Sequence, residues 1–474
     1  MRAHPAGPRH ADMASSTAFP GTVSADSIND VSGSVWPESA KRNAAGALEI
    51  DGVDVRDAVT EFASPLFVLS ETEVRSRAAR YRAAYTSAGA HTVYYAAKAF
   101  LSVAMARWVT EEGLGIDVAS GGELAIAMRA GVPGDRLLMH GNNKSVQEID
   151  MAISFGVGRI VIDSFEEIAR IAESAARHNV VQKVLVRATV GVEAHTHEFI
   201  ATAHEDQKFG LSASAGTVDE AVRRISKLPS LTLVGLHSHI GSQIFDAAGF
   251  EVAARRIVSL AQRIYDEQGI EIEEINLGGG MGIAYIEGDD PLDVDAMAAE
   301  IGEIVAKECA EAGIPLPALA FEPGRGIVGP AGITLYEVGT VKRVELDHDQ
   351  IRTYVSVDGG MSDNIRTALY GAEYTVTLAS RLSFAEPVLS RVVGKHCESG
   401  DIVVRDCWLP GDVTAGDLLA VAATGAYCRS MASNYNQLPK PAVASTRDGA
   451  LATVLRRETI ADLLALDPYA EERG

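Results

Sequence analysis

The clearest candidate for covalent chemistry is Lys98, which directly follows the apolar run at residues 93–97. The run predicts a buried strand, and a helical pattern begins at about Ser102. In a parallel barrel the active site lies at the carboxyl ends of the strands, so a lysine there is placed for chemistry. A partly desolvated amine is a nucleophile that can form a Schiff base. A structural lysine in a salt bridge is the alternative that this stretch leaves open.

Three further groups of candidate residues follow later apolar runs. His237 and His239 alternate at the end of one run, so their side chains are expected to point the same way. The glycines within residues 278–282 let backbone N–H groups approach an oxyanion, which is typical of a phosphate site. Glu322 and Arg325 place an acid and a guanidinium at a third tip. Taken singly, these groups have structural explanations: a core histidine, an ordinary turn and an internal ion pair.

Together these residue types indicate pyridoxal 5'-phosphate (PLP). A lysine amine can react with the cofactor's aldehyde, and glycine N–H groups can bind its phosphate. A carboxylate such as that of Glu322 can keep the pyridine nitrogen protonated, so that the ring accepts electrons. The combination therefore predicts a PLP site assembled from several strand ends.

The elements that must position these residues form a regular alternation of apolar runs and helical periods. After the first run, seven more strands are predicted at residues 115–119, 136–140, 159–163, 183–189, 231–239, 274–277 and 319–322. Eight such repeats predict a (β/α)8 TIM-type barrel over residues 71–331. A doubly wound dinucleotide fold is the alternative, but its fingerprint requires glycine where Ile283 stands.

The pattern changes after Pro330 to short β-rich runs separated by Gly and Asp turns. Strands are predicted at residues 334–344, 354–357, 374–378, 390–393, 401–406 and 417–422. They predict a mainly antiparallel sandwich or barrel, to which residues 44–70 add a strand. This second domain is therefore expected to be discontinuous, comprising residues 44–70 and 332–474. Residues 1–43 are predicted to form a disordered extension because they are rich in Ala, Ser, Gly and Pro.

Composition restricts the partners and the compartment. The net charge of −22 argues against binding to nucleic acid or an anionic membrane, and no apolar run approaches a membrane span. Four cysteines without metal-ligand spacing predict reduced thiols in a cytoplasm. The His-rich and Glu-rich residues 193–198 have the composition of a metal site. A substrate lid is the favoured interpretation of that long connection, and no metal is predicted.

Longer motifs carry a family resemblance. Residues 95–100, 237–243, 278–282 and 322–325 are similar to signatures of the fold-type III, alanine-racemase-like PLP enzymes. Residues 358–370, 394–401 and 425–427 closely resemble motifs of the diaminopimelate decarboxylases. The resemblance covers roughly residues 45–465.

The resemblance implies a role for each matching residue. For the cofactor these are Lys98 as the Schiff-base lysine, His239 against the ring, Ser242, Gly279, Gly280, Gly324 and Arg325 around the phosphate and ring, Glu322 on the ring nitrogen, and Tyr427. For the substrate they are Arg325, Arg366, Tyr370, Glu398 and Tyr427. Cys397 is implied as the proton donor, supplied to the site of a neighbouring subunit.

The implied reaction converts meso-2,6-diaminopimelate to L-lysine and CO2, the last step of lysine biosynthesis, in a homodimer with shared active sites. Two arginines and one glutamate suit a substrate that carries two amino and two carboxylate groups. The alternatives are an ornithine- or arginine-type decarboxylase, an amino-acid racemase, and a PLP-binding homeostasis protein without turnover.

Overall fold

The computed structural model describes residues 23–25, 27–191, 208–291, 293–345 and 351–470. The chain divides into two compact units. The first, here called the β unit, comprises Met1–Val74, Ile283–Asp290 and Val328–Gly474. The second, the barrel unit, comprises Arg75–Gly282 and Pro291–Ile327. The predicted lid at residues 193–198 lies outside the described residues.

The strands belong to three sheets, two of nine strands and one of three. In chain order they are β1 (Lys41–Arg42), β2 (Leu48–Ile50), β3 (Val53–Asp54), β4 (Leu66–Ser70), β5 (Ala90–Ala96), β6 (Gly115–Val118), β7 (Leu137–Met139), β8 (Arg159–Ile162), β9 (Gln182–Thr189), β10 (Leu211–Ser212), β11 (Leu231–His237), β12 (Glu274–Asn276), β13 (Ala318–Phe321), β14 (Gly332–Glu345), β15 (Ile351–Val357), β16 (Val376–Leu378), β17 (Pro387–Val393), β18 (Ile402–Pro410), β19 (Leu418–Val421), β20 (Ala442–Arg447) and β21 (Ala450–Leu455). The three-stranded sheet is β1-β2-β3.

The helices alternate with the strands through the barrel unit and are few elsewhere. In chain order they are α1 (Val55–Phe62), α2 (Glu71–Ser87), α3 (Val103–Glu111), α4 (Gly121–Ala130), α5 (Val146–Phe155), α6 (Phe165–Arg177), α7 (Thr217–Ile225), α8 (Ala248–Gln268), α9 (Val294–Ala312), α10 (Arg325–Val328), α11 (Arg366–Tyr370) and α12 (Ile460–Leu464). Within the described part of the chain, no helix combines the length and apolar character needed to cross a membrane.

The barrel is a closed ring of eight parallel strands in the order β9-β11-β12-β13-β5-β6-β7-β8, and β8 pairs with β9 to complete it. The short β10 pairs in parallel with the last two residues of β9, Ala188 and Thr189. All eight predicted strands are present, so the prediction of a (β/α)8 barrel is confirmed. Buried side chains from six of the eight strands pack together in one core cluster: Tyr94, Leu138, Val161, Leu185, Val234 and Ala320.

Local sequence explains where the barrel helices begin and end. Serine side chains accept a hydrogen bond from the first turn of four successive helices, α3 to α6; they are Ser102, Ser120, Ser145 and Ser164. Left-handed glycines terminate α4, α5, α8 and α9; they are Gly131, Gly156, Gly269 and Gly313. These caps fix each strand-to-helix connection, which is where a barrel carries its functional side chains.

The β unit contains the second large sheet, in the order β18-β17-β15-β14-β4-β20-β21, with β19 between β14 and β16. Most neighbours are antiparallel, as expected, but β15–β17 and β4–β20 are parallel pairs. The predicted addition of a strand from residues 44–70 is observed as β4. The strands β20 and β21 were not expected, because small and polar residues in Ala442–Arg447 give no clear apolar run.

The N-terminal residues differ from the disordered extension expected over residues 1–43. Val31, Val35 and Trp36 lie in the core of the β unit together with Leu66 and Leu335, and Trp36 is 3% exposed. The apolar side chains here are separated by Gly, Ser and Pro rather than arranged periodically, so composition alone gave the wrong expectation for this part of the segment.

Candidate active site

Lys98 lies in a short 3-10 turn, Ala97–Ala99, immediately after β5. The neighbouring alanines are buried while the lysine side chain is exposed. The Tyr95 hydroxyl donates a hydrogen bond of 2.7 Å to the Phe100 carbonyl across this turn. The Ala96 N–H donates to the Pro323 carbonyl at 3.0 Å, which ties the end of β5 to the end of β13. The amine therefore stands on a rigid turn at the carboxyl end of the barrel.

Glu322 follows β13 and is the centre of a buried polar group formed by four strand ends. His140 Nε2 lies 2.7 Å from the Glu322 Oε1 atom, and the Asn276 side-chain amide donates to the same oxygen at 2.9 Å. His237 Nε2 lies 3.4 Å from that oxygen. All four side chains are buried, with Glu322 6% exposed. These four residues are called the Glu322 cluster below.

The cluster keeps Glu322 ionised in a dry environment. Burial acts to raise the pKa of Glu322, but the imidazoles of His140 and His237 outweigh it and hold the pKa well below the usual range. Burial lowers the pKa of His237 to about 4, so this imidazole is neutral at neutral pH. Burial, followed by repulsion from Glu322, raises the pKa of Asp117 on β6 well above its usual value. The barrel end thus contains two carboxyl groups whose pKa values are shifted in opposite directions.

The same cluster meets the distance requirement for a metal site. The ligand atoms of His140, His237 and Glu322 lie within 4.8 Å of one another. However, the Asn276 amide directs an N–H at the carboxylate oxygen that a metal would need. A donor in that position repels a cation and favours an acceptor role for the carboxylate, as in a hydrogen bond to a protonated ring nitrogen.

The glycine loop after β12 is fixed against two other strand ends. The Gly279 N–H donates to His239 Nδ1 at 3.3 Å, and burial, followed by the charges of Lys98 and Arg187, lowers the pKa of His239 well below its usual value. A Cβ on Gly279 would lie 2.1 Å from the Glu322 carbonyl, and Gly280 has a φ of +116°. Only glycine permits this close approach of three loops.

The remaining predicted phosphate residues lie on neighbouring loops. The Arg325 Nη2 atom donates to the Ser242 hydroxyl at 2.8 Å, which joins the first residue of α10 to the loop after β11. The Ile244 N–H donates to the Gly280 carbonyl at 2.9 Å. A guanidinium, a hydroxyl and a glycine backbone beside an ionised carboxylate and a nearby lysine fit a phosphorylated pyridine aldehyde. The barrel-unit residues therefore match PLP by donor type and placement.

In the β unit, Arg366 begins α11 and is 6% exposed. Its Nη1 atom donates to the Tyr374 hydroxyl at 2.5 Å, and its guanidinium lies 4.8 Å from the ring centre of Tyr285. Burial raises the pKa of Tyr374 well above its usual value, so the phenol stays protonated. Aromatic side chains therefore hold the guanidinium. Tyr370 is the last residue of the same helix, α11.

Cys397 and Glu398 are both exposed, in the loop between β17 and β18. Glu398 lines a cavity of about 430 Å³ together with residues near α11, among them Ile365 and Ala368. Tyr427 has a left-handed φ of 59° in the segment after β19. The substrate residues predicted outside the barrel therefore belong to the β unit, while Lys98 and the cofactor residues apart from Tyr427 belong to the barrel unit.

Several polar neighbours of the site were not predicted as functional. His140 and Asn276 each stand at or directly after the end of a barrel strand, and that position is the signal that could have identified them. Tyr285 and Tyr374, which hold Arg366, carried no such signal, because neither stands at the end of a barrel strand.

The fold and the barrel-end residues together define a PLP-dependent enzyme, and comparison with known families agrees. Residues 71–329 match the family model described as "Pyridoxal-dependent decarboxylase, pyridoxal binding domain". The chain therefore belongs to the pyridoxal-dependent decarboxylases, whose cofactor is PLP.

Similar proteins specify the group within that class. The chain is 52% identical to the diaminopimelate decarboxylase of Mycobacterium leprae over 472 residues, covering 98% of this chain and all of the relative. It is 55% identical to that of Mycobacterium tuberculosis over 437 residues, covering 91% and 97%. The crystal structure of the M. jannaschii diaminopimelate decarboxylase in complex with L-lysine has a TM-score of 0.83 at 32% identity, covering 91% and 98%. The chain belongs to the diaminopimelate decarboxylase family.

Proposed function

We propose that this chain decarboxylates meso-2,6-diaminopimelate to L-lysine and CO2. The observation that carries the proposal is the ionised, buried Glu322 directly after β13, because β13 pairs with β5, the strand that leads directly to Lys98. Bound PLP supplies an aldehyde and an electron-accepting ring. The structure of a relative with L-lysine supports a lysine-like product.

On the barrel side, the Lys98 amine would hold the cofactor through its aldehyde carbon. Glu322 keeps a proton on the ring nitrogen, and its two hydrogen-bond partners, His140 and Asn276, hold the carboxylate in place. The neutral imidazole of His239 offers a flat face for the ring. Gly279, Gly280, Ser242, Gly324 and Arg325 bind the phosphate and ring, with Tyr427 as a further contact.

Substrate selection depends on charge. Diaminopimelate differs from lysine by a second carboxylate, so the site needs a cation for that group and an anion for the distal ammonium. Arg366 and Arg325 supply the cation, and Glu398 supplies the anion. Tyr370 and Tyr427 are the remaining substrate contacts. A charged group left unpaired in a desolvated site is costly, and this is the basis of the discrimination.

Cys397 carries the proton that replaces the carboxylate on Cα, because a thiol S–H can act as a general acid. We further propose that the thiol serves the site of a second copy of the chain, in a homodimer with shared sites. The support is that Cys397 is an exposed loop residue of the β unit, and not a barrel residue.

The domain assignment in this proposal follows from the sequence. Residues 71–331 form the cofactor domain, and residues 44–70 with 332–474 carry the substrate residues and the cysteine. A cytoplasmic location is proposed because all four cysteines are free thiols. Separation of cell extracts into cytoplasmic, periplasmic and membrane fractions tests the location.

The reaction is tested by supplying meso-diaminopimelate to the purified PLP-loaded enzyme and measuring lysine and CO2 by mass spectrometry. Ornithine and arginine serve as control substrates, and alanine tests for racemisation. We expect equal amounts of lysine and CO2 from diaminopimelate alone. Turnover of ornithine or arginine in its place, racemisation, or binding of PLP without turnover would each contradict the proposal.

The shared site is tested by mixing equal amounts of Lys98→Ala and Cys397→Ala chains, each inactive or nearly so alone. Random pairing makes half of the dimers mixed, and one of the two sites in each mixed dimer is intact. Activity should therefore recover to about a quarter of the wild-type value. A mixture that stays inactive although mixed dimers have been verified shows that each site is built from one chain.

A further inference from the structure

The loop that presents Cys397 is held by a residue far along the chain, Asn436. The side-chain oxygen of Asn436 accepts the backbone N–H of Cys397 at 3.1 Å. The same oxygen lies 3.2 Å from His396 Nδ1. We propose that Asn436 is a positioning residue that fixes the backbone, and with it the thiol direction, of Cys397. The inference rests on the proposed role of Cys397 as proton donor.

The ring of His396 strengthens this contact because both of its nitrogens are engaged. The Ser362 backbone N–H, which can only donate, lies 3.3 Å from His396 Nε2, so that nitrogen is the acceptor. The ring proton is therefore on Nδ1 and is donated to Asn436. His396 is 8% exposed, and its backbone N–H donates to the Asp401 carboxylate at 2.7 Å. Asn436 thus receives two parallel hydrogen bonds from consecutive residues.

Asn436 is itself held in a fixed turn. The Gln437 N–H donates to the Asn434 carbonyl at 2.8 Å, and the Asn434 amide donates to Glu458 at 2.7 Å. Lys440 forms an ion pair of 3.1 Å with the same glutamate. The acceptor oxygen is therefore not at the end of a free side chain but on a turn that is tied to a separate segment.

The backbone conformation explains why asparagine occupies this position. Asn436 has a φ of 52°, a left-handed conformation that is strained for most residues but is tolerated by Asn, Asp and Gly. Asn and Asp, among these three, also offer a side-chain acceptor. The position therefore requires both the left-handed turn and the oxygen that Cys397 and His396 contact.

Fixing this backbone matters for proton delivery. Transfer from a thiol to Cα needs the donor at hydrogen-bond range and aligned with the accepting carbon. The Asp401 N–H donates to the Glu398 carbonyl at 3.1 Å and closes the other side of the loop. Without the Asn436 contact, Cys397 loses this backbone hydrogen bond and can reorient while CO2 release is unaffected.

The test uses Asn436→Gly, which keeps the left-handed turn and removes only the side chain. The matched control is Gln437→Gly, because the adjacent Gln437 also has a left-handed φ, of 57°. Asn436→Asp retains an acceptor and the turn. For each holoenzyme we would measure kcat, KM, lysine formed per CO2 released, and the rate at which iodoacetamide alkylates Cys397, by peptide mass spectrometry. The buried Cys309 and Cys428 serve as internal references.

For Asn436→Gly we expect alkylation of Cys397 to change at least about threefold and kcat to fall about tenfold, with KM within about threefold of wild type. Lysine per CO2 should fall below one. A proton delivered to the cofactor carbon instead of Cα leaves the substrate nitrogen on the cofactor. Water then releases an aldehyde from the oxidised substrate carbon, and the cofactor is left reduced to its amine. Asn436→Asp should keep kcat within about threefold, and Gln437→Gly should match the wild type.

Equal alkylation rates at Cys397 in Asn436→Gly and Gln437→Gly would overturn the proposal. Failure of the underlying function gives a different result. If Cys397→Ala turns over diaminopimelate like the wild type while Asn436→Gly still alters alkylation, the positioning holds and the proton-donor assignment falls.

Discussion

The Glu322 cluster and the Cys397 loop hold their key side chains in opposite ways. Glu322 is 6% exposed, and its partners stand at or beside the ends of three other strands of the same closed barrel, β7, β11 and β12. Cys397 is exposed and is held through backbone and side-chain contacts between loops. The first arrangement fixes a charge in a dry environment, and the second fixes only a direction.

Because of this difference, we expect the two regions to respond differently to mutation. Removing a hydrogen-bond partner from a buried charge costs a large free energy, because water cannot reach the charge to replace the lost contact. An exposed loop contact competes with water and is worth about 1 kcal/mol in stability. Effects on catalysis should therefore be largest at the barrel end and smaller in the β unit, and the following predictions test that order.

The largest effect is expected at Lys98. Lys98→Ala should lower kcat by about a thousandfold or more, because it removes the covalent attachment of the cofactor. Borohydride reduction of the wild type, followed by peptide mapping, should place the phosphopyridoxyl group on Lys98. A label on any other lysine would refute the assignment.

The next effect is expected at Glu322. Glu322→Gln should lower kcat by about a hundredfold, since an amide cannot stabilise the protonated ring nitrogen as a carboxylate does. Asn276→Leu, which removes one donor to that carboxylate and the acceptor of the Gly278 N–H, should cost about tenfold. The absorbance of bound PLP and its affinity for the apoenzyme check that the site still forms. Equal losses in both variants would show that the carboxylate charge is not the important property.

A smaller effect is expected for the substrate residues of the β unit. Glu398→Gln and Arg366→Met should each lower kcat/KM by about tenfold or more while the PLP absorbance stays unchanged. Arg366→Lys should not restore activity, because lysine cannot form a bidentate pair with a carboxylate. Arg366 is buried, so thermal unfolding of each variant is the control. Wild-type turnover in all three variants would remove the basis for these substrate contacts.

The smallest effect concerns stability and pH. Burial raises the pKa of Asp363 to about 7, compared with 3.8 for a free side chain. Between these two values the unfolded chain has lost the proton and the folded chain has kept it, so stability falls as pH rises from about 4 to about 7. Asp363→Asn, which keeps an acceptor for the Gly360 N–H, should remove this slope. The difference in Tm between the variant and the wild type should therefore be about 2–4 °C more favourable to the variant at pH 8 than at pH 4. Parallel curves of Tm against pH for variant and wild type would contradict this cause.

Much of the barrel was predictable from sequence because most of its strands contain a short apolar run and several of its helices begin or end at a clear capping residue. Glu322 and Lys98 were predictable as strand-end residues. Their partners were not, since His140 and Asn276 meet Glu322 only once the ring closes, and closure depends on pairing between distant strands. The buried Trp36 and the left-handed Asn436 were missed for a related reason. Each depends on contacts that no local period records.

The pairing of β4 has a consequence for the order in which the protein can be made. β4 is synthesised before any strand of the barrel, yet it lies between β14 and β20, and β20 begins at Ala442. Along one edge this early strand therefore has no partner until nearly the whole polypeptide has left the ribosome. A chain that stops before Ala442 would expose that edge, and an exposed strand edge is prone to pair with other chains. Completion of this sheet thus depends on a segment that is synthesised after every strand of the barrel.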